Sequence, residues 1–447
     1  MTDWQNVIAG RSKKDLMHSV ERAVSTGELE PGQAFPSVRV LARHLGISAS
    51  TVVAAITELR QRGVIVTNDR RGSTIAPVPP LKLAVTPRPA PSARPPGVDL
   101  SHGGPDRALL PTLRSALHAV AEENDIPRLY GQAMIDPDLR NLTLPQLHDL
   151  GIDVAPDHVG VTSGALDLIE RALLVSCRPG DRIIVEDPGY PDLFDLLRAM
   201  GLQAVPVRVD DEGLRPDGVR EAMQRGATAL IHTPSAQNPF GAGLTDERAG
   251  ELARVLAEWP DLVVLEDHHL SLVEPARSTL AGRVRRWAVA RSVAKSLGPD
   301  LRLAIVAADP HLFARVLGRH ALGPGWVSHV LQRTVVHVLT DQSIRRQLKH
   351  ARDTYDARRL ALLAELRRKG IEAHGATGLN VWIPVADEGS AALDLAHRGW
   401  AVSPGGGYRR TCPPGLRVTT STLDVSETPR LADDISHALQ PRAARRG

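Results

Sequence analysis

Ala290-Arg291-Ser292-Val293-Ala294-Lys295-Ser296-Leu297-Gly298-Pro299-Asp300-Leu301-Arg302 is the stretch on which the reading of this chain turns. Trp287–Ala290 is an apolar run of strand length and Leu303–Ala307 is another, so Lys295 follows one strand and Arg302 opens the next. A lysine leaving a buried strand is desolvated, which lowers its pKa and frees the amine to act as a nucleophile. Arg302 offers a planar fork of N–H donors that suits a phosphate, and the Ser292 hydroxyl is a second donor for it. Most lysines in loops are simply solvated, so the rest of the chain has to decide.

Upstream, Asp267 closes the run Val263-Val264-Leu265-Glu266-Asp267-His268-His269. A carboxylate at the end of a buried strand is costly unless paired, and a protonated ring nitrogen is a fitting partner. Capping of the next turn is the ordinary alternative. Val161-Thr162-Ser163-Gly164-Ala165 is a strand-to-helix turn before the amphipathic stretch Leu166–Val175, where leading helix amides form an anion site. Thr233-Pro234-Ser235-Ala236-Gln237-Asn238-Pro239-Phe240-Gly241 is a polar, proline-bounded loop in which Asn238 can reach a phenolic oxygen. Each motif alone is weak. Together they answer the demands of pyridoxal phosphate: an amine for its aldehyde, an acid for its pyridine nitrogen and a cup for its phosphate, with a cation to hold a substrate carboxylate.

Strand-like runs at Val159–Thr162, Arg182–Val185, Ala227–His232 and Leu262–Leu265 alternate with amphipathic stretches, which predicts an α/β layered sheet. From about His329 long helical patterns dominate (Thr340–Lys369), then short strands around Leu379–Ile383 and Leu416–Thr419 predict a smaller α+β domain. The sharpest boundary is Pro77–Pro96, whose eight prolines exclude a helix interior or a central strand and describe a semi-extended linker. The expected domains are therefore 1–76, a linker at 77–97, a large domain at 98–330 and a small one at 331–447.

Before the linker, Leu16, Val20 and Ala23-Val24 recur at helical spacing and Gly27 ends that helix. Ser37 caps a short helix, Gly46-Ile47-Ser48 turns the chain, and Ser48 caps a second helix stopped by Gly63. Val64–Thr67 and Ser73–Ala76 form a hairpin around Asn68–Gly72. Two capped helices and a basic hairpin make a winged helix-turn-helix, which brings Ser48, Ala49, Ser50 and Thr51 to the major groove and Arg70, Arg71 and Gly72 to the wing. Residues 31–76 hold six arginines and two acids, a net of +4 that exceeds the +3 of the whole chain. A small helical interaction domain is the plainer alternative.

Composition bounds the remainder. With 447 residues the chain is long enough for several domains, and 3% aromatic content leaves the cores to Leu, Val, Ile and Ala. Two cysteines, Cys177 and Cys412, supply no disulfide framework or zinc site and fit a reducing cytoplasm. No basic leader or apolar run of about 18 residues is found, so neither a signal peptide nor a membrane partner is expected.

The head segments Gly27-Glu-Leu-Glu-Pro31-Gly32, Phe35-Pro36-Ser37-Val38-Arg39, Leu41-Ala42, Leu45-Gly46-Ile47-Ser48 and Thr51-Val52 resemble the DNA-binding domain of the GntR regulators. The resemblance implies that Ser37, Arg39 and the recognition-helix tip face double-stranded DNA. Ala49 and Ser50 stand where many relatives carry Arg and Asn. The body, from about Val98, resembles fold-type-I aminotransferases, and the fusion resembles the MocR-type subfamily of GntR regulators. Gly103-Gly104-Pro105-Asp106, Tyr130-Gly131 and Glu186-Asp187-Pro188-Gly189-Tyr190-Pro191 add to the match.

That resemblance implies Lys295 as the Schiff-base lysine and Asp267 as the partner of the pyridine nitrogen. Asn238 and His269 are implied near the phenolic oxygen, and Tyr190 near the ring. Ser163, Gly164, Ala165, Ser292 and Arg302 are the implied phosphate cup. Arg417, in Gly415-Leu416-Arg417-Val418-Thr419, is the implied anchor for a carboxylate, and Tyr130 reaches the phosphate of a neighbouring subunit, hence a homodimer. Departures lie at Gln132-Ala133 and Ile135, at Pro145, which is expected to interrupt the following helix, and at Ala294, which replaces a hydroxyl residue. The expected function is a transcription regulator that senses pyridoxal 5'-phosphate or a small amino compound. Two alternatives are an active aminotransferase carrying a DNA-binding head, and a cofactor-free dimerisation body.

Overall fold

The computed structural model describes residues 4–61, 64–68, 72–76, 97–123 and 128–440. Two compact units are present, one built on the N-terminal residues and one on the body. In the first, helices α1 (Lys13–Ser25), α2 (Val38–Leu45) and α3 (Ala49–Gln61) precede a hairpin of β1 (Ile65–Asn68) and β2 (Gly72–Ile75). Leu16, Val20, Leu41, Val52, Leu59 and Ile65 are fully or almost fully buried and form its core. Ser37 caps α2, and Gly46 ends it at φ 65°. Glycine adopts that left-handed backbone without strain. α2 and α3 then stand 119° apart, the crossing of a helix-turn-helix.

The body opens on a two-residue strand, β3 (Val98–Asp99). Eight strands follow: β4 (Val159–Thr162), β5 (Arg182–Asp187), β6 (Gln203–Asp210), β7 (Gly213–Leu214), β8 (Ala227–His232), β9 (Val263–His268), β10 (Arg286–Ser292) and β11 (Ala304–Ala308). They form one sheet in the order β4-β11-β10-β9-β8-β5-β6-β7. β8, β9 and β10 run parallel, while β11 is antiparallel to β10 and β4 to β11. β4 and β11 are buried at every position and β10 at all but its first, the signature of strands covered on both faces.

The C-terminal part adds β12 (Asn380–Pro384), β13 (Trp400–Ala401), β14 (Ser403–Pro404) and β15 (Gly415–Thr419). β12, β15 and β14 make a three-stranded sheet, and β13 pairs with β3. Leu100 is buried in the same core as Trp400 and Leu416, so the chain after the linker begins in the C-terminal domain. The division expected at 330/331 is displaced for a similar reason. The Gln342–Arg368 helix buries Ile344, Leu348 and Tyr355 in the large core and Leu362 and Leu366 in the small one. The change of core falls inside that helix.

Pro145 does not interrupt its helix, which runs from Pro137 to Asp149. The missing amide donor belongs to the exposed turn at Asn141, where water can satisfy the carbonyl. No single described helix is long and apolar enough to cross a membrane.

Candidate cofactor site and DNA-binding head

Sheet register assembles the site. Ser292 ends β10 opposite Ala304 of β11, and Ala304 is opposite Thr162 of β4. The residues around these strand ends (Ser163-Gly164, Ser292 and Arg302) therefore lie side by side. Arg302 Nη2 donates to the Ser163 carbonyl at 3.3 Å. Gly164 has φ 113°, a backbone that favours glycine, and a Cβ there would lie in contact with the same guanidinium at 3.4 Å. The helix that follows, Ala165–Ser176, has no side-chain cap. Its leading amides are therefore a natural place for an anion. One expected donor is already engaged: the Ser163 amide donates to Asp167 Oδ2 at 2.9 Å. Ser292 Oγ accepts from the Ala294 amide at 3.3 Å, which leaves its hydroxyl hydrogen available.

Asp267 lies on β9 beside Ala290 of β10. Its Oδ1 is buried and has no hydrogen-bond partner among the described residues. Burial raises the carboxyl to about 6, opposed by the charge of Lys295. Lys295 is itself pushed down to about 8, first by burial and further by Arg417, while Asp267 acts the other way. His269 is driven well below its usual range by burial and by the Lys295 charge, so it is neutral. These mutual influences place Asp267, His269, Lys295 and Arg417 in one cluster.

Arg417 is fully buried on β15. Its Nη1 donates to Asn238 Oδ1 at 3.1 Å and its Nη2 to the Ser101 carbonyl, and the Tyr408 ring lies 4.8 Å from the guanidinium carbon. A Cβ on Gly103 would sit 2.8 Å from Nη1, so that glycine makes room for the arginine. Tyr190 is half-buried next to Gly189, whose amide donates to the Tyr408 carbonyl. Tyr130 stands apart from this cluster: it is 91% exposed and packs edge to face on Trp326 at 5.6 Å.

Sequence reasoning missed the support beneath Asp267. The neighbouring Glu266 is fully buried and accepts from His232 Nε2 at 3.1 Å and His268 Nε2 at 2.8 Å, with the Thr279 hydroxyl and Leu280 amide completing its shell. Burial works against its charge, but these bonds outweigh it and hold the carboxyl low. Alternation along β9 turns Glu266 and His268 to one face of the sheet and Asp267 to the other. The glutamate in the Glu-Asp-His run was the only signal available.

In the head, Ser48 Oγ accepts from the Thr51 amide at 3.1 Å and bonds the Thr51 and Ser50 hydroxyls, capping α3. Ser37, Arg39, Ser48, Ala49 and Ser50 are exposed. Gly72 pairs with Asn68 at the start of β2. Arg70 and Arg71 lie outside the described residues.

Residues 13–75 match the family of bacterial regulatory proteins, gntR family, and residues 95–435 match aminotransferase class I and II. The vitamin B6 salvage pathway transcriptional repressor PtsJ of Salmonella typhimurium is 38% identical over 438 residues, covering 97% of this chain and all of that protein. This chain belongs to the MocR-type GntR transcription regulators. The HTH-type pyridoxine biosynthesis transcriptional regulator PdxR of Corynebacterium glutamicum is 30% identical, over 77% of this chain and 76% of its own length. An archaeal alanine:glyoxylate aminotransferase superposes with a TM-score of 0.66 at 24% identity, covering 77% of this chain and 90% of that one, which shows the shared fold. In this MocR-type chain the fold is thus a GntR head plus a fold-type-I body, and the regulator reading is supported over that of an active aminotransferase carrying a DNA-binding head.

Proposed function

We propose that this chain is a cytoplasmic, homodimeric regulator that binds pyridoxal 5'-phosphate in its body and alters its hold on double-stranded DNA in response. The observation that carries this reading is the buried, unpartnered Asp267 oxygen beside a lysine of lowered pKa. A buried carboxylate oxygen without a donor costs free energy, and a protonated pyridine nitrogen would satisfy it. Full-length similarity to a vitamin B6 salvage repressor supports the cofactor itself as signal and genes of vitamin B6 supply as targets.

Each residue then has a task. Lys295, with a pKa of about 8, holds a useful fraction of free amine near neutral pH. Asp267 orients the ring and keeps its nitrogen protonated. Neutral His269 and Asn238 offer hydrogen bonds at the ring oxygen. Gly164, Ala165, Ser292 and Arg302 hold the phosphate, and Ser163 contributes by its side chain rather than by its amide. Tyr190 covers the ring. Arg417, at present bonded to Asn238 and Ser101, can exchange those neutral acceptors for the carboxylate of an amino compound. Bound pyridoxal phosphate supplies an aldehyde that captures amines and a ring that withdraws electrons. The exposed Tyr130 supports a shared site in which it reaches the phosphate of a second copy.

Borohydride reduction of the purified protein, followed by peptide mass analysis, tests the assignment. The reading expects the cofactor's mass on Lys295, and loss of the visible absorbance band in a folded Lys295→Ala variant. Modification of a different lysine, or a Lys295→Ala protein that keeps a reducible band, would contradict it.

A further inference from the structure

A cavity of about 160 Å³ lies away from these residues, lined by Ile135, Val159, Phe313, Leu317, Trp326 and their neighbours, with three polar side chains in its wall, Arg140, His320 and Asp157. None of the cofactor or carboxylate groups assigned above belongs to it. A cavity of about 150 Å³ holds one benzene-sized ring. Its apolar wall is suited to such a ring, but its polar atoms are not suited to benzene itself. His320 is 2% exposed and its Nε2 has no hydrogen-bond partner among the described residues. Arg140 Nε is buried and likewise unpartnered. Among the described residues the Arg140 charge is met by Asp157, at 3.7 Å through Nη1, and Asp157, though it lines the cavity, is 93% exposed, so the pairing is screened by water. Burial and the nearby Arg171 hold His320 below its usual pKa, against Asp167, so it is a neutral imidazole that can present an N–H.

Two nitrogens without acceptors among the described residues, in one chamber with apolar walls between them, call for an anionic oxygen group on a compact apolar body. We propose that this chamber is a second ligand site that takes a small carboxylate with a single ring, of benzoate size. Its carboxylate accepts from Arg140 Nε and His320 Nε2, and its ring lies among Val159, Phe313 and Leu317.

The chamber is placed to influence the rest of the body. Its wall includes Met134 and Ile135, from the segment just after Tyr130, and Trp326, on which Tyr130 packs. That segment is held from one side by Gln332, which bonds the Met134 carbonyl and the Asp136 amide, and by His329, which bonds the Ala133 carbonyl. A ring in the chamber would brace it from the other side. Of the departures in this segment, Ile135 thereby acquires a reason: it lines this chamber.

Calorimetric titration of benzoate into the full-length, cofactor-loaded protein tests the site. Saturable binding of one benzoate per chain is expected, weakened at least tenfold by Leu317→Trp, which fills the chamber, and by His320→Leu, which removes a donor. Arg417→Ala should retain that binding, since it removes only the competing carboxylate anchor. Thermal melts identify a variant that has not folded, and Leu317→Trp, at a half-buried position, decides the matter if His320→Leu fails that check. Absence of saturable binding by the wild type, undiminished binding in folded Leu317→Trp, or loss in Arg417→Ala would overturn the proposal.

Discussion

Asp267 and Arg291 show how burial without a partner separates function from cost. Asp267 is raised to about 6 from the 3.8 of an unfolded chain. Its contribution to the stability of the cofactor-free protein is therefore present at low pH, and is lost as pH rises through about 6 and the buried charge appears. A cation on its unpartnered oxygen reverses that penalty. The rise in Tm caused by pyridoxal phosphate should accordingly be larger at pH 7.5 than at pH 5, and Asp267→Asn should flatten that difference and weaken cofactor binding at least tenfold. Equal Tm shifts at both pH values in the wild type would count against the pairing. Arg291 is 6% exposed, and among the described residues its Nε and Nη1 are unsatisfied and its one partner is neutral, Gln146 Oε1 at 2.8 Å. Burial lowers it to about 10, so it is still charged at neutral pH and carries the cost of desolvation there. Arg291→Met should stabilise the protein by about 1–3 kcal/mol in denaturant unfolding, as replacement of a poorly compensated buried charge does. Destabilisation of similar size would mean that the guanidinium has an acceptor after all.

Among the elements, the capped recognition helix and the glycine turn carry function most directly. Ser48→Ala removes the α3 cap and should lower the unfolding free energy of the head by about 1 kcal/mol, while reducing DNA affinity. Unchanged head stability by calorimetry would show that the cap is not made. Gly164→Ala would force a side chain into a positive-φ backbone beside Arg302, and cofactor affinity should fall while the sheet stays intact. These elements were legible because local chemistry fixes them: serines before apolar helical runs, and apolar runs of strand length ended by turns. Ala227–His232 was read at its observed limits, and the runs at Leu262, Trp287 and Leu303 differ from β9, β10 and β11 by a few residues at their ends. Pro145 misled because a proline is tolerated where the freed carbonyl meets water. The engagement of the Ser163 amide was not legible because its acceptor, Asp167, comes from the next helical turn. The Ser101 and Asn238 contacts to Arg417 span 316 and 179 residues, and no local pattern announces them.

At the scale of the whole molecule, Leu129, Tyr130 and Leu322 are 69%, 91% and 82% exposed. A second copy covering this surface would also bring Tyr130 to the neighbouring phosphate. Sedimentation should show a dimer, and Tyr130→Phe should weaken cofactor binding without dissolving it. A dimer also places two heads on one DNA, so the full-length protein should bind far more tightly than a single head by effective concentration, and with steep salt dependence. An amino compound can act only if it binds the two head arrangements with different affinity. Arg417→Ala should then abolish an amino-acid response while the response to pyridoxal phosphate persists. The regulator reading rests on coupling between body and head, so the affinity of the full-length protein for DNA from around its own gene should be titrated with and without pyridoxal phosphate, in wild type and Lys295→Ala. A cofactor-dependent change in affinity in the wild type, absent in Lys295→Ala, is the expected result; identical DNA affinity with and without cofactor in the wild type would contradict it.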